Sequence, residues 1–211
     1  TMFTAAITGT GVFTPQAVIT NDELVVAFNA HADLFNAENA DAIAAGTVDA
    51  KPQSSADFIF AARIEQRYVL DRDGVLDPER MYPNLPVRTD DAPGYMAEIG
   101  LDAAQKALTE ASLTGADIDL VICAASNMER AYPAVGVEIQ QLLGAGGFAF
   151  DMNVACSSAT FALETAANAI ASGSVKRALI VNPEICSAHL NFRDRDSHFI
   201  FGDACTAMVL E

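Results

Sequence analysis

IDLVICAAS (Ile118–Ser126) is the stretch that decides the architecture. It is a near-continuous apolar run of strand length, and a strand that is apolar along its length suits a sheet covered on both faces. Upstream, Met96, Ile99, Ala103, Ala104, Ala107, Leu108 and Ala111 recur at helical spacing, with Gly115 following the helix end. Downstream, the pattern predicts a helix over Ala134–Leu143, closed by Gly144 to Gly147, and a strand over Phe148–Val154. A helix over Ser157–Ser172, a buried strand over Arg177–Ile185 and a further strand over Cys205–Glu211 follow. Strand and helix in alternation is the grammar of a layered α/β domain.

The first ninety residues are less regular. FTAAITGTGVFTP reads as a short apolar strand (Phe3–Thr8) followed by a Gly-rich turn ending at Pro15. Thr20, Asn21, Asp22 and Glu23 stand ahead of Leu24, Val25 and Val26 as capping residues stand ahead of an apolar helix face. Over about residues 29–57 the pattern weakens into small and polar residues, an irregular insertion. Between Val69 and Pro93, Gly74, Pro78, Pro83, Pro86 and Pro93 forbid long regular elements. At 211 residues one compact domain is expected, with two very small ones as the alternative.

Composition narrows the function. Twelve basic against 28 acidic side chains give a net charge of −16, with 51% hydrophobic and 19% charged residues. That much apolar material excludes disorder. The positive charges are scattered, which argues against nucleic acid or an anionic membrane surface as partner. No run of about 18 uncharged apolar residues spans a bilayer, and no signal peptide is evident. Cys123, Cys156, Cys186 and Cys205 are far apart and outside any C-x-x-C pair, as reduced thiols of a cytoplasmic protein would be. Glu211 closes an apolar strand with no helix, cap or polar tail after it, so the chain is expected to be the N-terminal part of a longer protein.

Cys156 is the best candidate for chemistry. The strand Phe148–Val154 runs into a tight turn of small residues from which a helix opens at once, so the thiol sits at a helix N-terminus, where unpaired amides and the macrodipole favour negative charge. Ala155, Ser157, Ser158 and Ala159 leave the sulfur approachable. Read locally, a lone cysteine between apolar segments is more often a buried filler.

Five ordered stretches add a resemblance: ITGTGVFTPQAVITNDEL, ADIDLVICAASNMERAYPA, GGFAFDMNVACSSATFAL, KRALIVNPEI and DRDSHFIFGDACTAMVL. Together they resemble the β-ketoacyl-[acyl carrier protein] synthase III family of the thiolase-like superfamily, over most of the chain except roughly residues 29–57 and 69–93. The resemblance implies the N-terminal half of a thiolase-like fold: a mixed, mostly parallel five-stranded sheet with helices on its faces. It implies that Cys156 is the acyl acceptor and that its backbone N–H lends one donor to the oxyanion hole. The implied reaction is decarboxylative Claisen condensation of an acyl-CoA with malonyl-[acyl carrier protein], without a cofactor or metal. The His and Asn that the family needs for decarboxylation have no counterpart in these residues. They are expected from the missing C-terminal half, which leaves this chain alone inactive.

By the same resemblance, Tyr132-Pro133 matches an aromatic-Pro turn that crosses a homodimer interface to line the partner's acyl pocket. Phe58 stands near the family's CoA-stacking Trp, which this sequence lacks, and Arg63 or Arg67 is placed to meet a CoA phosphate. His189 and His198 fall in the family's hairpin segment and are expected as hairpin or surface-loop residues; His31 sits in the weakly patterned insertion, and Cys123, Cys186 and Cys205, on or beside apolar strands, are expected in the core. Gly202 and Asp203 are expected to hold a turn, and the charged run Arg193–His198 to be a solvated loop rather than a carrier-protein contact. Two rivals remain open: an acyltransferase of the same family that passes the Cys156-bound acyl group to an O or N nucleophile, and a non-catalytic subunit that completes a partner's fold. Primer length is not legible.

Overall fold

The computed structural model describes residues 4–89 and 91–211. In chain order the elements are β1 (Ile7–Phe13), β2 (Ala17–Thr20), α1 (Asn21–Glu38), α2 (Ala40–Ala44), α3 (Ala56–Phe60), β3 (Gln66–Val69), α4 (Arg72–Leu76) and α5 (Tyr95–Ala111), followed by β4 (Leu120–Ala124), α6 (Val135–Leu143), β5 (Phe148–Met152), α7 (Ser158–Ala171), β6 (Ala178–Ile185) and β7 (Asp203–Leu210). The chain divides into two compact units. One holds residues up to Thr14 with Val87–Glu184 and Ala204–Glu211; the other holds Pro15–Pro86 with Ile185–Asp203.

The first unit contains the five-stranded sheet, in the order β1-β7-β6-β4-β5. β4 lies inside the sheet, between β6 and the edge strand β5, and is parallel to both, with Leu120 opposite Ala178 in β6 and Phe148 in β5. All five of its residues are buried. Leu120, Ile122 and Ala124 share one face and pack with Ala162, Ala166 and Ile170, which recur every four residues along α7. The opposite face receives α5 and α6: Gly100 of α5 lies against the Ile139 side chain of α6 and the Val181 side chain of β6. Burying Leu120 and Ile122 contributes about 2 kcal/mol each, and the β4 neighbours supply every backbone partner that a dry strand needs.

β1 corrects the expected strand-then-turn at the N-terminus. Gly9 and Gly11 lie inside a strand that pairs antiparallel with β7 over Ile7–Phe13, while Phe3 of the expected strand lies outside the described residues. The glycines are there for packing. A Cβ on Gly9 would sit 2.1 Å from the Ala107 carbonyl oxygen, and one on Gly11 2.0 Å from that of Ala103. Residues two apart on a strand share a face, and residues four apart on a helix do likewise, so two glycines and two alanines let the backbones of β1 and α5 touch. At the other end of α5 the left-handed cap is Ser112 at φ +58, not Gly115, which opens a short 3-10 turn.

The second unit is built on the antiparallel pair β2–β3 and helix α1. α1 starts where the sequence indicates, with a capping box in which the Glu23 N–H donates to Thr20 Oγ1 and the Thr20 N–H to Glu23 Oε2. It then runs to Glu38 and α2 follows, so much of the segment read as an irregular insertion is helical. The buried positions of α1 are Leu24, Ala27, Phe28, His31 and Ala32. Alanine and histidine complete the helical stripe, and they weaken the pattern that a search for large apolar residues detects. Between Val69 and Pro93, among the described residues, the five-residue α4 is the one helix.

Replacing Gly11 by Ala is expected to cost about 3 kcal/mol or more, because no rotamer relieves a Cβ set against a helix carbonyl. Gly146→Ala is the control, since its Cβ would meet only the Ile118 carbonyl oxygen at 3.8 Å. Thermal midpoints of the two variants check this; equal midpoints would show that β1 and α5 separate freely.

Candidate active site

Cys156 lies in the turn between β5 and α7 and is exposed, whereas Cys123 and Cys205 are buried. Burial pushes the Cys123 thiol well up from its ordinary range and the Cys205 thiol up to about 12. Cys186 is half-buried beside β6.

The turn is set by one unusual backbone conformation. Ala155, immediately before the cysteine, has φ +49, a region that side chains with a Cβ enter at a cost of about 1–3 kcal/mol. Side chains hold both peptide groups of Ala155. Its N–H donates to Asn153 Oδ1 at 3.0 Å, and its carbonyl accepts the Ser158 hydroxyl at 2.7 Å. Ser158, 2% exposed, also accepts the Val154 N–H at 2.9 Å. Asn153 in turn donates from Nδ2 to the carbonyl of Ser126, at the end of β4, at 2.9 Å. The next amides feed the helix start: the Ser157 N–H reaches Val154 O and the Ser158 N–H reaches Ala155 O. Among the described residues the Cys156 N–H has no acceptor. An approachable thiol beside an unspent amide at the start of a 14-residue helix is an arrangement that can take an acyl group and stabilise the oxyanion formed on the way. The sequence located the thiol; it did not reveal that Asn153 and Ser158 hold the turn, although an Asx residue before it and a serine at the helix start were the available signals.

The remaining predicted site residues occupy varied surroundings. Tyr132, between β4 and α6 in the same unit as Cys156, is 89% exposed. Phe58 and Arg67 belong to the second unit. Phe58, in α3, is half-buried with the Arg195 guanidinium 3.8 Å above its ring. Arg67 differs from the expected phosphate contact: it is 3% exposed, its Nη atoms donate to Ile19 O at 3.3 Å and Asn21 Oδ1 at 2.7 Å, and burial lowers its pKa to about 10. Those bonds tie β3 to the start of α1. Arg63, at φ +60, is exposed with its guanidinium against the Phe60 ring.

The histidines divide. His189 is exposed. His198, expected in a hairpin or surface loop, has no exposed surface; it stacks on Phe28 at 4.5 Å between centroids, and Nε2 lies 3.4 Å from Ser54 Oγ. Desolvation, helped by Arg67, pushes its pKa down to about 4. His31 is lowered as well, chiefly by burial. Asp203, expected to hold a turn, opens β7 and accepts the Leu70 N–H and the N–H and hydroxyl of Ser187 while burial pushes its carboxyl up. In the Arg193–His198 run, Arg193 donates to the carbonyls of Glu79 and Arg80 and Arg195 to that of Gln53, so its arginines serve the unit's own loops. Among the described residues there is no group of three or more His, Cys, Asp or Glu side chains able to hold a metal ion, and no helix is long and apolar enough to cross a membrane.

Comparison with known proteins bears directly on this turn. Residues 150–211 match the family described as 3-oxoacyl-[acyl-carrier-protein (ACP)] synthase III. The chain is 52% identical over 185 residues to a β-ketodecanoyl-[acyl-carrier-protein] synthase of Pseudomonas aeruginosa, covering 87% of this chain and 53% of that protein. It is 42% identical over 116 residues to a β-ketoacyl-[acyl-carrier-protein] synthase III of Allorhizobium ampelinum, covering 54% and 36% respectively. Among solved structures, 3-oxoacyl-[acyl-carrier-protein] synthase III from Aquifex aeolicus superposes with a TM-score of 0.71 at 26% identity, covering 98% of this chain and 53% of that one. The chain thus spans about half the length of the first of these relatives and about a third of the second.

Two outcomes are expected. Iodoacetamide should label Cys156 first in the native protein, with Cys123 and Cys205 labelled only after denaturation; peptide mass mapping reads the order, and early labelling of Cys123 would contradict the packing. Acid should weaken the fold through His198. Its folded pKa lies below the unfolded value of 6.5, so the unfolded chain binds the extra proton and stability is lost as pH falls from 6.5 towards 4. The loss between pH 7 and pH 5 is about 2 kcal/mol. Denaturant midpoints at the two pH values should converge in His198→Phe.

Proposed function

The chain belongs to the 3-oxoacyl-[acyl carrier protein] synthase III family, and from that premise we propose that it forms the N-terminal half of a condensing enzyme whose acyl acceptor is Cys156. The exposed thiol on a side-chain-braced turn, beside an unspent amide, is the observation that carries this reading. In the first half-reaction the Cys156 sulfur attacks the carbonyl of an acyl-CoA, the C–S bond to CoA breaks, and CoA leaves as its thiol. The Cys156 N–H donates to the oxyanion of the tetrahedral intermediate. In the second, malonyl-[acyl carrier protein] loses CO₂; the resulting carbanion attacks the acyl-enzyme carbonyl, and the sulfur leaves as the carbon–carbon bond forms. Splitting the reaction through a thioester is the usual gain of nucleophilic catalysis.

The His and Asn that stabilise the decarboxylating thioester belong, in this reading, to the C-terminal half, so residues 1–211 alone do not turn over. Tyr132 is the side chain proposed to reach a partner subunit's acyl pocket in a homodimer, a role for which its exposure suits it. Phe58 and Arg63 are retained as candidates near the nucleotide of CoA. The reaction is placed in the cytoplasm, a reducing compartment in keeping with cysteines that are far apart in the sequence and outside any C-x-x-C pair. The name of the Pseudomonas aeruginosa relative specifies a ten-carbon product. Because condensation adds two carbons, an eight-carbon primer is the one to try first.

Intact mass of the full-length protein, before and after incubation with acyl-CoAs of increasing length, tests the proposal. One acyl group per chain is expected, strongest near eight carbons and absent from Cys156→Ser. Malonyl-[acyl carrier protein] should then discharge it with release of CO₂. An adduct discharged without CO₂ would point to acyl transfer to another nucleophile. Failure to gain any acyl group would leave a non-catalytic partner.

A further inference from the structure

The turn that presents Cys156 is fastened to a carboxylate two strands away. Glu184 lies near the end of β6. Its Oε1 accepts both the Ser126 N–H at 2.5 Å and the Ser126 hydroxyl at 2.7 Å, just past the end of β4. The carbonyl of the same serine accepts Asn153 Nδ2 at 2.9 Å, and Asn153 Oδ1 accepts the Ala155 N–H at 3.0 Å. Glu184, Ser126, Asn153 and Ala155 therefore form a continuous chain of hydrogen bonds across the ends of β6, β4 and β5. It terminates on the peptide whose left-handed conformation aims the next residue, Cys156.

We propose that Glu184 is a positioning residue for the nucleophile, acting through Ser126 and Asn153 and touching neither acyl group nor thiol. This rests on the reading of Cys156 as acyl acceptor. Bonds to an ionised acceptor are stronger than neutral ones, so the carboxylate fixes Ser126 more firmly than an amide would. Ser126 fixes the rotamer of Asn153, whose two ends face opposite ways: Nδ2 towards β4 and Oδ1 towards the turn. A small error in placing a nucleophile costs far more rate than stability, about a hundredfold for 1 Å. A supporting shell of this kind is what sets such tolerances.

The test uses full-length protein with Glu184→Gln, Asn153→Ala and the double variant. Three quantities are read: the single-turnover rate of Cys156 acylation by octanoyl-CoA, hydrogen exchange at the Ala155 amide, and the thermal midpoint. Glu184→Gln should slow acylation about tenfold and speed Ala155 exchange, with the midpoint and the dependence on octanoyl-CoA concentration near wild type. Asn153→Ala should slow acylation more, and the double variant no further than Asn153→Ala alone, since both act along one path. A Glu184→Gln protein that acylates at the wild-type rate overturns the proposal; so does one whose lost activity only follows a lowered midpoint, or additive effects in the double variant. If wild-type protein takes up no acyl group, the acyl-acceptor reading fails. The relay is then judged on exchange alone, and an Ala155 amide no faster in Glu184→Gln refutes it.

Discussion

The sheet-bearing unit is organised by the need to keep Leu120–Ala124 away from water on both faces and both edges. A strand in that position cannot satisfy its backbone with solvent, so β5 and β6 must pair with it in register along its length. Its side chains then dictate the covering layers. Leu120, Ile122 and Ala124 require the alanine-rich face of α7, and the opposite face is closed by α5 and α6. The glycines of β1 serve the same demand at the far edge of the sheet, because α5 can cover the sheet only by lying directly on that backbone. The covering helix and the covered strand thus determine each other's small residues.

Three strand ends converge from this arrangement, and the candidate site is made there. In a parallel sheet successive strands end on the same edge, which brings Ser126 beyond β4, Asn153 beyond β5 and Glu184 near the end of β6 within hydrogen-bonding reach. The left-handed Ala155 is a local cost that an isolated peptide would relax. Here Asn153 and Ser158 offset it by holding both flanking peptide groups, and Ser158 does so from a buried position at the start of α7. Strain, thiol exposure and the open amide of Cys156 are consequences of one turn held from two sides.

The second unit differs in carrying polar groups inside, most of their atoms partnered, while Arg67 Nε, His31 Nε2 and His198 Nδ1 are buried without a hydrogen bond among the described residues. Asp203 takes three donors, Arg67 spends its guanidinium on a carbonyl and an asparagine, and His198 is stacked on an aromatic ring. Each pays a desolvation penalty that its partners reduce. This explains why Arg67 and His198 turn inward although their neighbours Gln66, Tyr68, Asp194 and Asp196 are exposed.

The sequence by itself determined the alternation of strands and helices from Met96 onward, the helix start at Thr20 and the placement of Cys156 ahead of α7. These depend on periodicity, capping and small-residue turns, which are local properties of the chain. Only the tertiary structure decided that Gly9 and Gly11 sit within a strand, because their reason is the carbonyls of Ala103 and Ala107, some ninety residues away. It alone decided that α1 continues to Glu38, since Ala27, His31 and Ala32 count as core only once Leu24 and Phe28 have a surface to face. The bracing of Cys156 by Asn153, Ser126 and Glu184 was equally invisible, for a hydrogen-bonded path between strand ends is a property of sheet order, and no spacing along the chain encodes it.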